Sequence, residues 1–313
     1  MPMPTTKQRP RTDPMPHAAL LIALVALLAL PACADAGSAR LEPGKNTRLH
    51  VTAGDYRVTF VARSAWTIRE AAWKDDLFLT PTGAYGTVAR WREKPPEADL
   101  FVGTGHGGEK VESLTLAVYE NDADNPAKTV NVLEAVENGK ALPAAGARFV
   151  LTKTSRIGPY KHTFVTTVSP EGLRETSRLE PTGDLDTIDL VYPFMHCFPK
   201  SYTAWTAALP GGGTDGGTFA SDNSFTLRKA AEWIAVYDAE KRRGVLLAFP
   251  GEVSAPNKLW NRKRDNKLYL TYTGKRLTDP PEVTIAVRVF EAGKDGWKEK
   301  AGKEAAGIVE RER

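Results

Sequence analysis

Beyond residue 40, apolar and polar residues of this chain alternate in short runs, and Gly, Pro, Asn and Asp interrupt them. A period of two places one set of side chains on one face of a strand and the other set on the opposite face. Residues 48–52 and 56–62 flank Ala53-Gly54-Asp55 as a hairpin, and residues 66–73 and 85–91 read as further strands. Alternation is clearest at 112–119 and 162–168, and Ser169-Pro170-Glu171-Gly172 turns the latter into 173–179. Later strands are expected at 233–237, 244–249, 267–273 and 283–290. No long segment keeps an apolar helical period, and only the last twenty residues suggest a polar helix or a frayed end. Many short strands with regular turn signals predict an all-β chain, a large antiparallel β-sandwich. The expected organisation is one domain over 37–295 and a charged C-terminal tail over 296–313. A two-domain alternative divides within 121–146.

The N-terminus differs in kind. Lys7, Arg9 and Arg11 precede an uncharged run at 18–30 and then the small-residue stretch PACADAGS. A basic start, a short apolar run and a small-residue cleavage zone make residues 1–36 a secretory signal. Ala32-Cys33-Ala34 and Ala34-Asp35-Ala36 fit ordinary cleavage, whereas Leu30-Pro31-Ala32-Cys33 resembles a lipobox in which Cys33 is lipidated. The protein is therefore expected to be exported, either periplasmic or lipid-anchored to a bacterial membrane. The only other cysteine is Cys197, so no internal disulfide is expected in the mature chain, and Cys197 reads as a small buried hydrophobe. Without residues 1–32, 39 basic side chains face 37 acidic ones, a balance that gives no reason to expect nucleic acid. No short-spaced metal-ligand pair occurs, so neither metal nor other cofactor is expected.

Candidate chemistry gathers in four places. The stretch 189–205, DLVYPFMHCFPKSYTAW, sets His196 among Tyr192, Phe194, Phe198, Tyr202 and Trp205. An imidazole can exchange a proton near neutrality, and aromatic faces suit the C–H faces of a sugar ring. The alternative is a buried strand end with a structural histidine. Residues 103–109, GTGHGGE, put His106 among four glycines, either a ligand-approaching loop or a plain turn. Tyr160-Lys161-His162 opens a strand, and Ser221-Asp222-Asn223 follows a glycine run.

Two of these places together resemble the galactose mutarotase and aldose 1-epimerase superfamily. His106-Gly107-Gly108 is similar to the family's HGG loop. Pro170-Glu171-Gly172-Leu173, a strand, and then Pro193-Phe194-Met195-His196-Cys197-Phe198 are similar to its second histidine segment. The resemblance implies the galactose mutarotase-like supersandwich fold and a carbohydrate partner. It implies His196 as acid, Glu252 as base, His106 on the ring oxygen and Asp222 on a sugar hydroxyl, in an epimerase that opens and recloses a pyranose. Glu252, in Phe249-Pro250-Gly251-Glu252, departs from the family's order. The same fold carries polysaccharide lyases. In that reading Asn257, Arg262 and Arg264, near Trp260, neutralise a uronate while Tyr160, His162 or His196 transfer protons. A third reading is a non-catalytic glycan-binding module with tryptophan and tyrosine faces, among them Trp205 and Trp260. These three readings require different geometry. The epimerase needs converging histidines and a carboxylate, the lyase an elongated cleft, and the binding module exposed rings.

Overall fold

The strands Arg148–Ile157 and Tyr160–Ser169 bury every second side chain and pair antiparallel over their whole length, with Phe149 opposite Val168 and Ile157 opposite Tyr160. Alternation of this kind over ten residues fixes the register, because a slip of one would turn every core side chain to the other face. The computed structural model describes residues 37–83, 85–92, 100–120, 123–142, 144–182, 188–219, 221–250, 257–273, 277 and 280–312. Glu252 and Cys33 lie outside the described residues.

The two long strands form the middle of a ten-stranded antiparallel sheet. Its order is Thr214–Thr218, Ala204–Ala208, Trp233–Asp238, Arg243–Ala248, Val283–Glu291, Gly172–Pro181, Tyr160–Ser169, Arg148–Ile157, Glu109–Tyr119 and Lys128–Asn131. One face carries Leu116, Phe149, Leu151, Phe164, Leu247 and Ile285 into the main core. Three further sheets accompany it. A six-stranded sheet is built from consecutive hairpins over Gly37–Glu42, Arg48–Ala53, Tyr56–Val61, Thr67–Trp73 and Asp76–Leu79, with Ala144–Gly146 at its edge. Its Leu49, Val51, Val58 and Phe60 enter the same core. A four-stranded sheet of Tyr272–Thr273, Ile188–Tyr192, Val88–Trp91 and Phe101–Gly103 buries Ala89, Val102 and Val191 against Ile157, Tyr160 and Leu179. A second four-stranded sheet orders Met195–Phe198, Asn266–Leu270, Asn257–Asn261 and Ser224–Lys229, and its Leu227, Leu259 and Leu268 join the main core. The all-β antiparallel sandwich expected from the alternation is the fold observed.

The C-terminal segment is a docked helix rather than a tail. Trp297–Glu312 lays Trp297, Ala301, Ala305 and Ile308 on the opposite face of the ten-stranded sheet, against Ala235, Tyr237, Leu246 and Phe290. Spacings of four, four and three make one helical stripe, but two of its four members are alanines with little hydropathic signal. Trp297 stacks parallel on Tyr237 with ring centroids 4.8 Å apart. Gly244 makes room beneath that cluster, since a Cβ there would lie 2.1 Å from the Phe290 ring. Within the stretch 121–146 the described residues join two sheets. Lys128–Asn131 extends the ten-stranded sheet and Ala144–Gly146 the six-stranded one, with the helix Val132–Glu137 between them.

Truncating the helix anchor should be costly. Trp297→Ala is expected to lower unfolding free energy in urea by about 3–5 kcal/mol, the cost of removing a buried aromatic. A loss below about 1 kcal/mol would mean that the helix is held by its ion pairs and not by this stripe.

Candidate functional site

Polar side chains on the inner face of the ten-stranded sheet form a buried chain of contacts. Glu109 starts the strand Glu109–Tyr119, and its carboxylate accepts from Lys153 Nζ at 2.6 Å, Ser155 Oγ at 2.8 Å and Thr104 Oγ1 at 2.7 Å. Lys153 also donates to Ala65 O at 2.9 Å. His162 is fully buried, with Nδ1 3.3 Å from Ser155 Oγ and Nε2 3.0 Å from Thr87 Oγ1 and 3.2 Å from Ser177 Oγ. Ser155 gives its proton to Glu109 and Thr87 gives its own to Pro193 O, and Ser177 Oγ lies 3.2 Å from both Thr87 Oγ1 and His162 Nε2.

Charge in this network is set by burial and neighbours. Burial pushes the Glu109 carboxyl up. The His162 imidazole, 3.7 Å from Oε1 and too far for a direct bond, and the Lys153 ammonium outweigh burial and hold the carboxyl at about 2. Burial lowers His162 below its ordinary value, so the ring stays neutral around pH 7. The carboxylate is saturated by donors. It therefore serves as an anchor and not as a base.

His196 belongs to a different buried pair. On the strand Met195–Phe198 it points to the core face, where its Nε2 donates to Glu175 Oε2 at 2.6 Å. Phe194, Phe249, Leu268, Tyr269, Leu270 and Ile285 close around it, leaving no water-sized void. A sugar ring has no room there. His106, by contrast, is exposed at the tip of the glycine loop. The glycines serve the loop itself: a Cβ on Gly103 would lie 2.4 Å from Thr87 O, so the close approach is to a neighbouring strand. The two histidines expected to converge on a pyranose stand apart, His196 facing inward and His106 outward.

The remaining expected residues are scattered. Tyr160 is buried, donates to Leu277 O at 2.6 Å, and burial pushes its hydroxyl to about 12. Trp205 is in the main core. Asp222 pairs with Lys200 at 3.0 Å on the surface, and Arg264 is exposed. Arg262 and Trp260 do meet, with the guanidinium 5.3 Å from the indole centroid.

That contact is the end of a larger arrangement. In the sheet holding Met195–Phe198, the register sets Met195 opposite Tyr269, Lys258 opposite Tyr269, Trp260 opposite Lys267 and Phe225 opposite Trp260. Leucines 259 and 268 alternate with these residues and face the core, and a bulge between Phe225 and Leu227 turns Leu227 inward as well. The outer face consequently carries rings and cations. It continues onto the neighbouring sheet through Val88, Tyr192 and Phe101. Rings follow one another at His106–Phe101 (5.1 Å), Phe101–Tyr192 (6.4 Å, stacked), Tyr192–Tyr269 (4.9 Å, edge-on), Tyr269–Phe225 (6.4 Å, edge-on) and Phe225–Trp260 (5.7 Å, stacked). Phe101, Tyr192, Phe225 and Trp260 are each half-buried. Their spacing in sequence hides this ladder, since its members come from five strands and a loop. The period-two signal in NKLYL (266–270) was its only local trace.

No protein-family model matches the chain, and no curated protein matches it. Among solved structures the chain is remotely similar to a galactose mutarotase-like protein from Clostridium acetobutylicum, at 9% identity and TM-score 0.49 over 80% of this chain and 98% of that one. It is also similar to an Escherichia coli K12 protein provisionally described as an aldose 1-epimerase, at 8% identity and TM-score 0.43 over 77% and 98% of the two chains. A Geobacillus stearothermophilus GH36 alpha-galactosidase shares 9% identity and a TM-score of 0.45 over 82% of this chain and 42% of its own. None of these likenesses assigns a role to a residue of this chain.

The buried network predicts an acid response. Glu109 titrates at about 2 in the folded chain and near 4.5 unfolded, so its contribution is complete above pH 4.5 and is lost as pH falls through about 2. The amount is about 3 kcal/mol. His162, depressed below 6.5, weakens the fold in the same direction as pH drops below that value. Glu109→Gln should flatten the stability profile between pH 4.5 and 2 in denaturant titrations. An unchanged slope in that window would remove Glu109 from this role.

Proposed function

We propose that this chain is an exported carbohydrate-binding protein that holds a glycan on its outer ring-bearing face without acting on it chemically. One observation carries the reading: the ladder of six rings from His106 to Trp260, running across two sheets, with His106 exposed, Phe101, Tyr192, Phe225 and Trp260 half-buried, and Tyr269 buried between them. Flat apolar faces at successive positions suit a chain of sugar rings, each of which has an apolar C–H face. The sequence resemblance to sugar-handling proteins and the N-terminal export segment favour a glycan over other flat ligands. Turnover is disfavoured by the positions of the titratable groups. His196 is enclosed and bonded to Glu175, His162 is enclosed among hydroxyls, and the hydroxyl of Tyr160 is engaged with a backbone carbonyl. Neither an epimerase nor a lyase can use groups that a sugar cannot approach.

Proton NMR of the purified protein with hexoses and oligosaccharides is expected to show neither faster anomer exchange nor new vinylic protons, together with line broadening of bound glycan. Trp260→Ala should weaken glycan binding by about 2 kcal/mol, the loss typical of an aromatic anchor contact. Catalysed anomer exchange would return the protein to the epimerases. Vinylic protons would make it a lyase.

Export has its own test. Intact mass of protein from a bacterial host should lack the leader. If Cys33 is lipidated, Cys33→Ser will move the protein from the membrane fraction to the soluble periplasmic one. A full-length mass with residues 1–36 retained would sink the export reading.

A further inference from the structure

Five cations surround the ring ladder. Arg228 lies 4.4 Å from the Phe225 centroid, Lys258 6.0 Å and Lys267 5.8 Å from that of Tyr269, and Arg262 5.3 Å from that of Trp260. Arg90, in the strand Val88–Trp91, is the fifth, close enough to both Lys258 and Tyr192 for its charge to bear on their protonation. Carboxylates are scarce around them. Asp189 takes Arg90 in a two-bond fork at 2.9 Å each, and Asp265 lies 3.6 Å from Arg262 and near Lys267. Among the described residues no carboxylate pairs with Arg228 or Lys258. Five positive groups against two negative ones leave the ring face with a surplus of positive charge, although the chain as a whole is nearly balanced.

From this juxtaposition of half-open rings and unpaired cations on one sheet face, we infer that the ligand is a polyanionic glycan, with its carboxylate or sulfate groups taken by Arg228 and Lys258 and its sugar rings on the aromatic ladder. The inference rests on the carbohydrate-binding reading and narrows it. A neutral glycan would leave the cations crowded. Burial, and then the charges of Arg228 and Arg90, already lower Lys258, while burial and Arg262 lower Lys267 against the opposing pull of Asp265. An arriving anion relieves that crowding, and a guanidinium offers it a planar pair of donors. Cation–π contacts hold these side chains over the rings, so they are placed beside whatever stacks there. Single-stranded nucleic acid also combines stacking bases with anionic groups. It is the less favoured occupant because the chain carries an export segment.

The test uses the purified full chain and four probes: polygalacturonate for uronates, dextran sulfate for sulfates, unmodified dextran with galactan for neutral glycans, and a thymidine oligonucleotide. Binding is followed calorimetrically at low and high salt for the wild type, the Arg228→Gln/Lys258→Gln double variant and Trp260→Ala. The uronate or the sulfate polymer should bind at least about tenfold more tightly than the neutral ones and weaken as salt rises. Preference between those two identifies the anion. The double variant should lose about tenfold for the anionic polymer while staying folded, because Arg228 is exposed, Lys258 is only half-buried and neither is paired with a carboxylate among the described residues. Trp260→Ala should weaken binding of every glycan that binds. Equal affinity for neutral and anionic glycans, or a double variant that binds like wild type, overturns the inference and leaves the binding reading intact. Oligonucleotide binding as tight as that of the polysaccharides overturns it as well, showing a surface that reads charge alone. Failure of all glycans to bind removes the binding reading and the inference together.

Discussion

Two-residue alternation in the strands Asn266–Leu270 and Asn257–Asn261, together with a bulge between Phe225 and Leu227 in Ser224–Lys229, is the constraint on which the ring-bearing face depends. Leu227, Leu259 and Leu268 face the core, each contributing roughly 1.5–3 kcal/mol of burial. Trp260, Lys258, Tyr269 and Lys267 then take the other face, and the bulge lets Phe225 join them. A slip of one residue would bury two lysines and expose three leucines. The energetic cost of that exchange far exceeds the small preference of any ring for its place in the ladder. The ring-bearing face is thus a consequence of core packing, and its geometry is tied to the core behind it.

Beneath it lies a second constraint of opposite character. Glu109, Lys153, Ser155, His162, Thr87 and Ser177 fill the inner layer with groups that would be costly if left unbonded, and each has a partner. A buried ion pair of this kind adds little over an apolar filling, yet breaking it leaves an uncompensated charge. Its effect is to define where strands end. Lys153 ties the turn at Ala65 to the strand Arg148–Ile157, and Thr87 ties the glycine loop's neighbour to Pro193. Ala65 and Trp66 both sit at positive φ, 53° and 58°, a conformation that side-chain-bearing residues adopt only when held. The His196–Glu175 pair does the same work between the small sheet and the large one. Both histidines are buried and hydrogen-bonded within the protein.

Much of the architecture was legible beforehand. Runs such as ESLTLAVY and HTFVTTV declare strands because a half-buried sheet face demands a period of two, and the all-β sandwich followed from their number. The helix Trp297–Glu312 was under-read because its docking face is half alanine, and alanine says little about burial. RFVLTKTSRI alternates as clearly as its partner but puts Lys153 at a core position where an apolar residue is expected. Only the ion pair with Glu109, 44 residues away in sequence, makes that lysine tolerable inside.

The candidate site divides in the same way. Residue order settles which side chains share a strand face, so the split between leucines on one side and rings with cations on the other was already present in NKLYL and its neighbours. It also supplies the chemistry: imidazoles, guanidiniums and aromatic faces. Which of those groups meet was decided by tertiary structure alone. The ladder draws its six rings from strands far apart in sequence, and the inward or outward turn of His196 and His106 depends on which sheet covers which. No local pattern encodes that choice, because it follows from the free energy of burying whole faces against one another, summed over strands that are neighbours only in the folded chain.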